Sequence, residues 1–235
     1  MISDILKNWC KSNSLEITEK QLSMFEAYAA LLKEWNEKMN LTAITDDEGI
    51  AVKHFIDSIS VLKTVELKPD SKLIDIGTGA GFPGIPIKIM RPDIDLTLLD
   101  SLNKRLVFLS EVCSKLEVNA EIIHARAEEF GHKPEFREKY DYSVSRAVAN
   151  LPSLCEYCIP YIKVGGSFIS MKGPEGDVEI EAAKNAVNTL GCKILKTDEL
   201  ILPDKNKRMI IQIKKISATP AKYPRRGVKI SKQPL

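Results

Sequence analysis

The segment Lys72–Phe82 constrains this chain more than any other, because alternating glycines follow directly after a short apolar strand. The strand ends in Asp75, and Gly77, Gly79 and Gly81 come after it at every second position. Glycine lets the backbone turn sharply and approach a ligand closely, and a carboxylate at a strand end can receive a cation. We therefore expect a site for a nucleotide-like ligand that carries positive charge. S-adenosylmethionine is the common ligand of this kind.

A dinucleotide site is the main alternative for such a loop, and it requires the spacing G-x-G-x-x-G. The third glycine of that spacing would fall on Phe82. The pyrophosphate of a dinucleotide would also be repelled by the carboxylate of Asp75. The pattern thus favours a methyl donor over NAD or FAD, and a tight strand–helix turn without a ligand stays open as a third interpretation.

The periodicity of apolar residues predicts an α/β protein. Residues 1–65 read as helical, with a capping box at Thr18–Gln21 and a second helix over about 46–65. Strands and helices then alternate from Lys72 onward. The last two strand-like runs, Cys192–Leu202 and Arg208–Lys215, are separated by only 203–207, which is too short for a crossover helix, so they must pair antiparallel.

This outline is that of a class I S-adenosylmethionine-dependent methyltransferase. We expect a Rossmann-like, seven-stranded, mostly parallel sheet that an antiparallel hairpin closes, with an N-terminal helical extension. The predicted division is a helical segment over 1–65, a methyltransferase domain over 66–216 and a basic tail over 217–235.

Charge is distributed unevenly along the chain. Residues 205–235 contain ten Lys or Arg and no Asp or Glu. Because the whole chain has 34 basic and 32 acidic residues, the first 204 carry 24 basic against 32 acidic ones. Such asymmetry indicates a partner of opposite charge, with nucleic acid the leading candidate, while a solvated tail is the alternative.

The cysteine content and the hydropathy predict a cytoplasmic protein without a membrane partner. Five cysteines at irregular spacing indicate free thiols in a reducing compartment. Cys155 and Cys158 form a C-x-x-C in a helical region, where we expect buried structural thiols. No apolar run of about 18 residues is present. We expect a monomer and no metal site.

Ligands of doubly wound sheets lie outside the carboxyl ends of the strands, which identifies candidate residues. Asp100 ends the second strand and could accept both ribose hydroxyls. Ala127 and Glu128 follow the third strand and could hold the adenine. Arg146 ends the fourth strand in a small apolar run, where a charge is costly unless it is paired or contacts solvent or a ligand.

Signatures of other methylation targets are incomplete. The run Asn150–Ser153 approaches the Asn/Asp-Pro-Pro-aromatic motif of adenine-amino methyltransferases, but a serine replaces the aromatic residue. No Pro-Cys nucleophile for pyrimidine C5 is present. An acceptor atom with a free lone pair fits best, because it needs neither a nucleophile nor a base. An adenine-amino methyltransferase acting on RNA or DNA, and a non-catalytic RNA-binding module, remain alternatives.

Several motifs together resemble the bacterial 16S ribosomal RNA methyltransferase G family, also called glucose-inhibited division protein B. They are Asn40-Leu-Thr-Ala-Ile44, His54-Phe-Ile-Asp-Ser58, Asp75-Ile-Gly-Thr-Gly-Ala-Gly-Phe-Pro-Gly-Ile-Pro86, Leu99-Asp-Ser101, Ser145-Arg-Ala-Val148 and Tyr223-Pro-Arg-Arg226. The resemblance implies methylation of guanine N7 in the decoding-region loop of small-subunit 16S rRNA with S-adenosylmethionine.

The resemblance also implies roles for individual residues, with no catalytic acid or base among them. Cofactor contacts are expected from Gly77, Phe82, Ala127, Glu128 and Arg146, and from Ser101 beside Asp100. Substrate contacts are expected from His54 and Asp57, which alternatively only pair with each other on one helix face. Independently of the resemblance, the excess of positive charge in the tail predicts that Lys222, Arg225, Arg226 and Lys229 bind rRNA phosphates, unless the arginines fold back onto acidic residues of the body.

Overall fold

The computed structural model describes all residues from 1 to 235. Its strands are β1 (Lys72–Ile76), β2 (Asp95–Asp100), β3 (Ala120–His124), β4 (Tyr140–Arg146), β5 (Ile162–Lys172), β6 (Cys192–Ile201) and β7 (Lys207–Lys215). They form one seven-stranded sheet in the order β3-β2-β1-β4-β5-β7-β6. Strands β1 to β5 are parallel, and β7 lies antiparallel between β5 and β6. The predicted class I methyltransferase sheet is confirmed.

The helices precede the sheet, connect its strands and, in the case of the last helix, follow its last strand. They are α1 (Ile2–Ser12), α2 (Glu19–Met39), α3 (Asp47–Gly49), a π-helix (Ile50–Ile56), α4 (Asp57–Ile59), α5 (Val61–Thr64), α6 (Gly84–Met90), α7 (Asn103–Lys115), α8 (Ala127–Phe130), α9 (Leu151–Cys158), a 3-10 turn (Ile159–Tyr161), α10 (Gly176–Thr189) and α11 (Gly227–Lys232). No helix combines the length and the apolar character that a membrane span requires.

The predicted capping box starts α2, where the side chains of Thr18 and Gln21 each accept a hydrogen bond from the other residue's backbone N–H. The second predicted helix is present but irregular, because its centre winds as the π-helix Ile50–Ile56. Such turns are rare and frequently occur at functional sites. This one carries His54 towards the sheet edge where β1 and β4 end.

Two apolar cores cover the two faces of the sheet, because side chains along a strand alternate between faces. In β1, Leu73 belongs to the core beneath α1, α2 and the π-helix, and Ile74 belongs to the core beneath α9 and α10. The N-terminal helices therefore share a core with the sheet. The three-part division of the chain stays a prediction, and the body and its helical extension pack as one unit.

The five cysteines are buried and form no disulfide. Cys155 and Cys158 lie on α9, inside the core, and burial raises the pKa of both thiols. Protonated, inaccessible thiols are poor nucleophiles and poor metal ligands.

Candidate cofactor and acceptor site

A cavity with a volume of about 1390 Å³ lies outside the carboxyl ends of β1, β2 and β4. Ligand pockets for single small molecules typically have volumes of about 300–1,000 Å³. One end of the cavity is formed by Thr42, His54 and Arg146, and the other by α8 and the C-terminal tail. The glycine loop lies between the two ends. There is room for a nucleotide-like cofactor together with a second group.

The backbone of the glycine loop is hydrogen-bonded to strand β2. The N–H groups of Gly77 and Thr78 both donate to the Leu99 carbonyl, at 2.8 and 3.2 Å. Gly79 adopts φ +61, and a Cβ there would meet nothing nearer than the Gly77 carbonyl oxygen at 4.0 Å. At Gly77 a Cβ would meet Val148 at 2.7 Å. Space for a ligand therefore lies above Gly79, whereas Gly77 is required for packing of the loop.

Asp75 does not line this cavity, contrary to the predicted cofactor contact. Its side chain is fully buried beneath the loop, where one oxygen accepts from the Thr78 hydroxyl at 2.7 Å and the Gly84 N–H at 2.8 Å. The other oxygen has no partner. Burial raises the pKa of Asp75 to about 7, against the lowering effect of these two hydrogen bonds. The carboxylate organises the loop from below.

Gly81 also lies outside the cavity, so its predicted cofactor contact is replaced by a packing role. A Cβ at Gly81 would meet the Tyr28 hydroxyl, and Ile85 at 2.7 Å. Tyr28 donates a hydrogen bond to the Ala80 carbonyl and stacks on Phe82 with ring centroids 5.3 Å apart. The helical extension therefore supports the glycine loop directly. An aromatic residue on the apolar stripe of α2 was the only sequence signal for Tyr28.

The predicted ribose and adenine residues all border the cavity. Asp100 is buried, and its carboxylate accepts from the N–H groups of Gly79 and Leu102, each at 2.9 Å, and pairs with Arg105 at 3.2 Å. Since two carboxylate oxygens offer about four acceptor positions, one remains for a ligand. Its neighbour Ser101 is exposed at the rim.

At the far end of the cavity, α8 begins with Ala127 and Glu128. Tyr161 donates to the Ala127 carbonyl at 2.7 Å and so fixes the first turn of α8. The side chain of Glu128 lies against Gly227 of the tail, where any Cβ would clash with it. The tail therefore closes the cavity beside the predicted adenine position.

Arg146 lies at the opposite end of the cavity, where several hydrogen-bond partners hold it. Its guanidinium donates to Asp57 at 3.0 Å and to the Lys53 carbonyl at 3.1 Å, and it lies 5.1 Å from the centroid of the Phe82 ring. The other oxygen of Asp57 accepts from Arg208 on β7 at 3.0 Å. Asp57 thus holds two arginines and lies behind Arg146, outside the cavity lining.

His54 and Asp57 do not pair with each other in the observed hydrogen bonds, because both turn to Arg146. The His54 Nδ1 atom lies 3.4 Å from the Arg146 guanidinium, and its ring stacks on Phe82 with centroids 4.6 Å apart. Burial, followed by the charge of Arg146, lowers the pKa of His54 to about 4. His54 is therefore neutral at pH 7. The end of the cavity at Thr42, His54 and Arg146, which we call the acceptor end, therefore presents a neutral imidazole, a paired arginine and an aromatic ring.

The basic tail folds back onto the body. Arg225 forms a bidentate pair with the fully buried Glu156, at 2.9 and 2.7 Å, and this carboxylate also accepts the Arg225 backbone N–H at 2.6 Å. Arg137 donates to the carbonyls of Thr219 and Tyr223, each at 2.8 Å. His132 lies 2.6 Å from the Pro224 carbonyl oxygen.

The tail cations therefore divide into two groups. The prediction that Arg225 binds RNA phosphates gives way to the bracing alternative, because its guanidinium neutralises a buried carboxylate. By contrast, Lys222, Arg226 and Lys229 are exposed and have no carboxylate partner within ion-pair distance.

Comparison with known proteins agrees with this architecture. A model of the family described as rRNA small subunit methyltransferase G matches residues 21–209. The ribosomal RNA small subunit methyltransferase G of Clostridium novyi is 50% identical over 234 residues, which cover 99% of this chain and 96% of that protein. The protein of the same name from Acetivibrio thermocellus is 54% identical over 223 residues, which cover 94% of this chain and 91% of that protein.

A solved structure supports the fold. The S-adenosylmethionine-dependent methyltransferase from Aquifex aeolicus superposes with a TM-score of 0.53 at 17% identity, covering 74% of this chain and 96% of that one. The relatives from Clostridium novyi and Acetivibrio thermocellus are at least 50% identical over nearly the whole chain, which is stronger evidence of kinship than the likeness of fold. The chain belongs to the rRNA small subunit methyltransferase G family.

Proposed function

We propose that this chain transfers a methyl group from S-adenosylmethionine to N7 of a guanine in the decoding-region loop of 16S rRNA, within the small ribosomal subunit. The names of its full-length relatives support the rRNA substrate, and the cavity supports the chemistry. An adenine-amino methyltransferase and a non-catalytic RNA-binding module are the two alternatives.

The residues present fit the cofactor. Open space above Gly79 provides the cradle, and Asp100 keeps one acceptor position free for a ribose hydroxyl. Ala127 and Glu128 would hold the adenine, and Phe82 would lie near the reacting end. When bound, S-adenosylmethionine supplies an electrophilic methyl group on a positively charged sulfur. The chain's own residues bind and orient the reactants and exclude water.

The observation that carries the proposal is the chemistry of the acceptor end. Thr42, His54 and Arg146 border it, and no cysteine is among the cavity residues. Guanine N7 has an in-plane lone pair and no proton, so its attack requires positioning rather than a nucleophile or a base. A neutral His54, tied to Arg146, fits this requirement.

The adenine alternative loses its sequence support. Asn150, which suggested an adenine-amino motif, accepts a hydrogen bond from the Ser153 N–H at 3.0 Å and caps α9. It does not border the cavity. The run Asn150–Ser153 is therefore explained as the start of α9.

The tail and the cysteines support the remaining parts of the proposal. Exposed Lys222, Arg226 and Lys229 would bind rRNA phosphates beside the cavity, since the tail forms its wall. Unpaired cysteines are typical of a reducing compartment, which supports activity in the cytoplasm. If the protein is a monomer, no second copy covers the cavity or the C-terminal tail, and both are accessible to the small ribosomal subunit.

The test is to incubate the chain with methyl-labelled S-adenosylmethionine and 16S rRNA that lacks the modification. The RNA is supplied naked, partly assembled and as complete small subunits, and the methylated base is then identified by mass spectrometry and chain cleavage. We expect one N7-methylguanine in the decoding-region loop. Label on an adenine amino group would support the first alternative, and cofactor binding without transfer to any of the three substrates would support the second.

A further inference from the structure

Thr42 lies at the acceptor end of the cavity, beside Leu41 and His54, and its position is fixed by the fold. The helix α2 ends at Met39, and Asn40 caps it with left-handed backbone, φ 49. Two residues later, the backbone N–H of Thr42 donates to the Asn36 side-chain oxygen at 2.8 Å. The half-buried Thr42 side chain is thus placed on a rigid turn that faces the ligand space.

The lone pairs of the Thr42 hydroxyl oxygen are both occupied. The Ile44 N–H donates to it at 3.0 Å, and the His54 Nε2 atom lies 2.8 Å away. A guanidinium has only donors, so the Arg146 contact at 3.4 Å makes His54 Nδ1 an acceptor. A neutral imidazole then carries its proton on Nε2 and donates it to Thr42. The lowered pKa of His54 agrees with this neutral form.

The hydroxyl hydrogen is consequently the one hydrogen-bonding group of the Thr42 side chain that is left without a partner. It finds no acceptor among the protein atoms, while the oxygen already accepts two hydrogen bonds. A threonine hydroxyl ordinarily serves as donor or acceptor according to need. Here the chain Arg146–His54–Thr42 leaves the hydroxyl as a donor, on a residue that lines the cavity.

We propose that Thr42 is a specificity-determining residue that donates a hydrogen bond to O6 of the target guanine. This inference rests on the proposed function. The edge of guanine that carries N7 also presents O6, which is an acceptor, whereas the same edge of adenine presents the N6 amino donor. An adenine amino group would face a hydroxyl without a free lone pair and would stay unpaired, which is costly in a closed site. Thr42 thus selects guanine over adenine.

The experiment is a double-mutant cycle between the protein and the RNA base. The variants are Thr42→Val, which keeps the shape and loses the hydroxyl, and Thr42→Ser, which keeps the hydroxyl. Thr45→Val, at an exposed position outside the cavity, is the matched control. Each is assayed on ligated 16S rRNA that carries either guanine or 2-aminopurine at the target position, because 2-aminopurine retains N7 and lacks O6.

We expect wild type and Thr45→Val to lose roughly threefold to tenfold in kcat/KM on 2-aminopurine, the worth of one hydrogen bond. Thr42→Val should show this loss already on guanine and little further loss on 2-aminopurine. Thr42→Ser should resemble wild type. Calorimetry should give all variants the same affinity for S-adenosylmethionine.

Two outcomes would overturn the inference. Equal fractional losses by Thr42→Val on both bases would mean that the hydroxyl only packs the turn. A wild-type preference for guanine below about twofold would exclude the O6 contact whether or not the variants fold. In both cases the methylation of guanine itself would persist. If wild type transferred no methyl group to any guanine-containing RNA, the proposed function would fail instead.

Discussion

Gly79 and Asp75, four positions apart in one loop, show how neighbouring residues acquire different roles. Gly79 borders the cavity with left-handed backbone and open space above it, whereas Asp75 lies buried beneath the loop and outside the cavity lining. The first is open to a ligand, and the second stabilises the turn that creates the opening. Each role leads to a separate prediction.

Gly79→Val should abolish S-adenosylmethionine binding. A branched side chain would occupy the ligand space, and φ +61 adds strain of about 1–2 kcal/mol. Gly165→Val is the matched control, because Gly165 has φ +86, open space within 4 Å of where a Cβ would lie and no place in the cavity. Both variants should lose similar stability, and only Gly79→Val should lose the calorimetric signal. Tight NAD binding by wild type, without a signal for S-adenosylmethionine, would contradict the cofactor assignment.

Asp75→Asn should remove a contribution to stability that falls as pH rises from about 4 to 7. The pKa of Asp75 is raised from 3.8 to about 7, so between about pH 4 and pH 7 the folded protein keeps a proton that the unfolded chain has released. The free energy of unfolding contributed by this group therefore falls as pH rises through that window. His54, with its pKa lowered to about 4, adds a change of opposite sign that both proteins share.

Urea unfolding of the ligand-free protein at several pH values from 4 to 8 measures the effect. The difference in stability, Asp75→Asn minus wild type, should increase from acid to neutral pH. A constant difference across that range would show that Asp75 ionises normally in the folded protein.

At the scale of elements, the π-helix Ile50–Ile56 and the adjacent Asp57 join the helical extension to two strands. Asp57 binds Arg146 at the end of β4 and Arg208 at the start of β7. His54 stacks on Phe82 of the glycine loop. These contacts orient Arg146 and the Phe82 ring. None of them delivers a proton to the substrate atom that would receive the methyl group.

Substitutions in this network should lower turnover by misplacing the substrate. We expect His54→Ala and Asp57→Asn to reduce the single-turnover rate roughly tenfold, and Arg146→Ala roughly a hundredfold, because Arg146 itself borders the cavity. Arg208→Gln, which leaves the Asp57–Arg146 pair in place, should cost less than about threefold and serves as the control. If a variant kept full cofactor and RNA affinity and lost all turnover, a proton-transfer role would have to be assigned to that residue.

At the scale of the whole molecule, the C-terminal tail closes the cavity that the sheet creates. Arg137 and Glu156 bind the tail to the body of the protein, and the tail segment from Pro224 to Val228 forms one wall of the cavity. A tail fixed in this way presents its exposed cations at a constant position relative to the active site. Arg225 therefore braces the tail, whereas the RNA contacts are proposed for the exposed cations Lys222, Arg226 and Lys229.

Arg225→Ala and Arg226→Ala should separate these two roles. Arg225→Ala leaves the buried Glu156 unpaired, at a cost of about 3–5 kcal/mol, and should lower Tm by roughly 6–20 °C. Arg226→Ala should leave Tm unchanged and flatten the slope of log affinity for RNA against log salt by roughly one unit. Thermal melts and salt titrations of both variants provide the measurement. A flattened slope for Arg225→Ala without a fall in Tm would restore its predicted contact with RNA.

The sequence by itself determined the class of fold and the location of the site, because both depend on local patterns. Apolar alternation predicts strands, the gap 203–207 is too short for a crossover, and alternate glycines after a strand predict a sharp turn that a ligand can approach. The residues predicted to bind ribose and adenine, Asp100 and Ala127–Glu128, followed from the rule that ligands lie at strand ends, and they border the cavity.

Only the tertiary structure decided which partner each charged or polar group takes. Glu156 and Arg225 are 69 residues apart, and Asp57 lies 89 residues from Arg146. A sequence displays such charges without showing which of many opposite charges will lie beside them once the core is packed. Burial then fixes the result, because a buried carboxylate must be paired, hydrogen-bonded or protonated. For that reason Arg225 braces the tail, Asp75 supports the loop from below, and the Thr42 hydroxyl is left without an acceptor among the protein atoms.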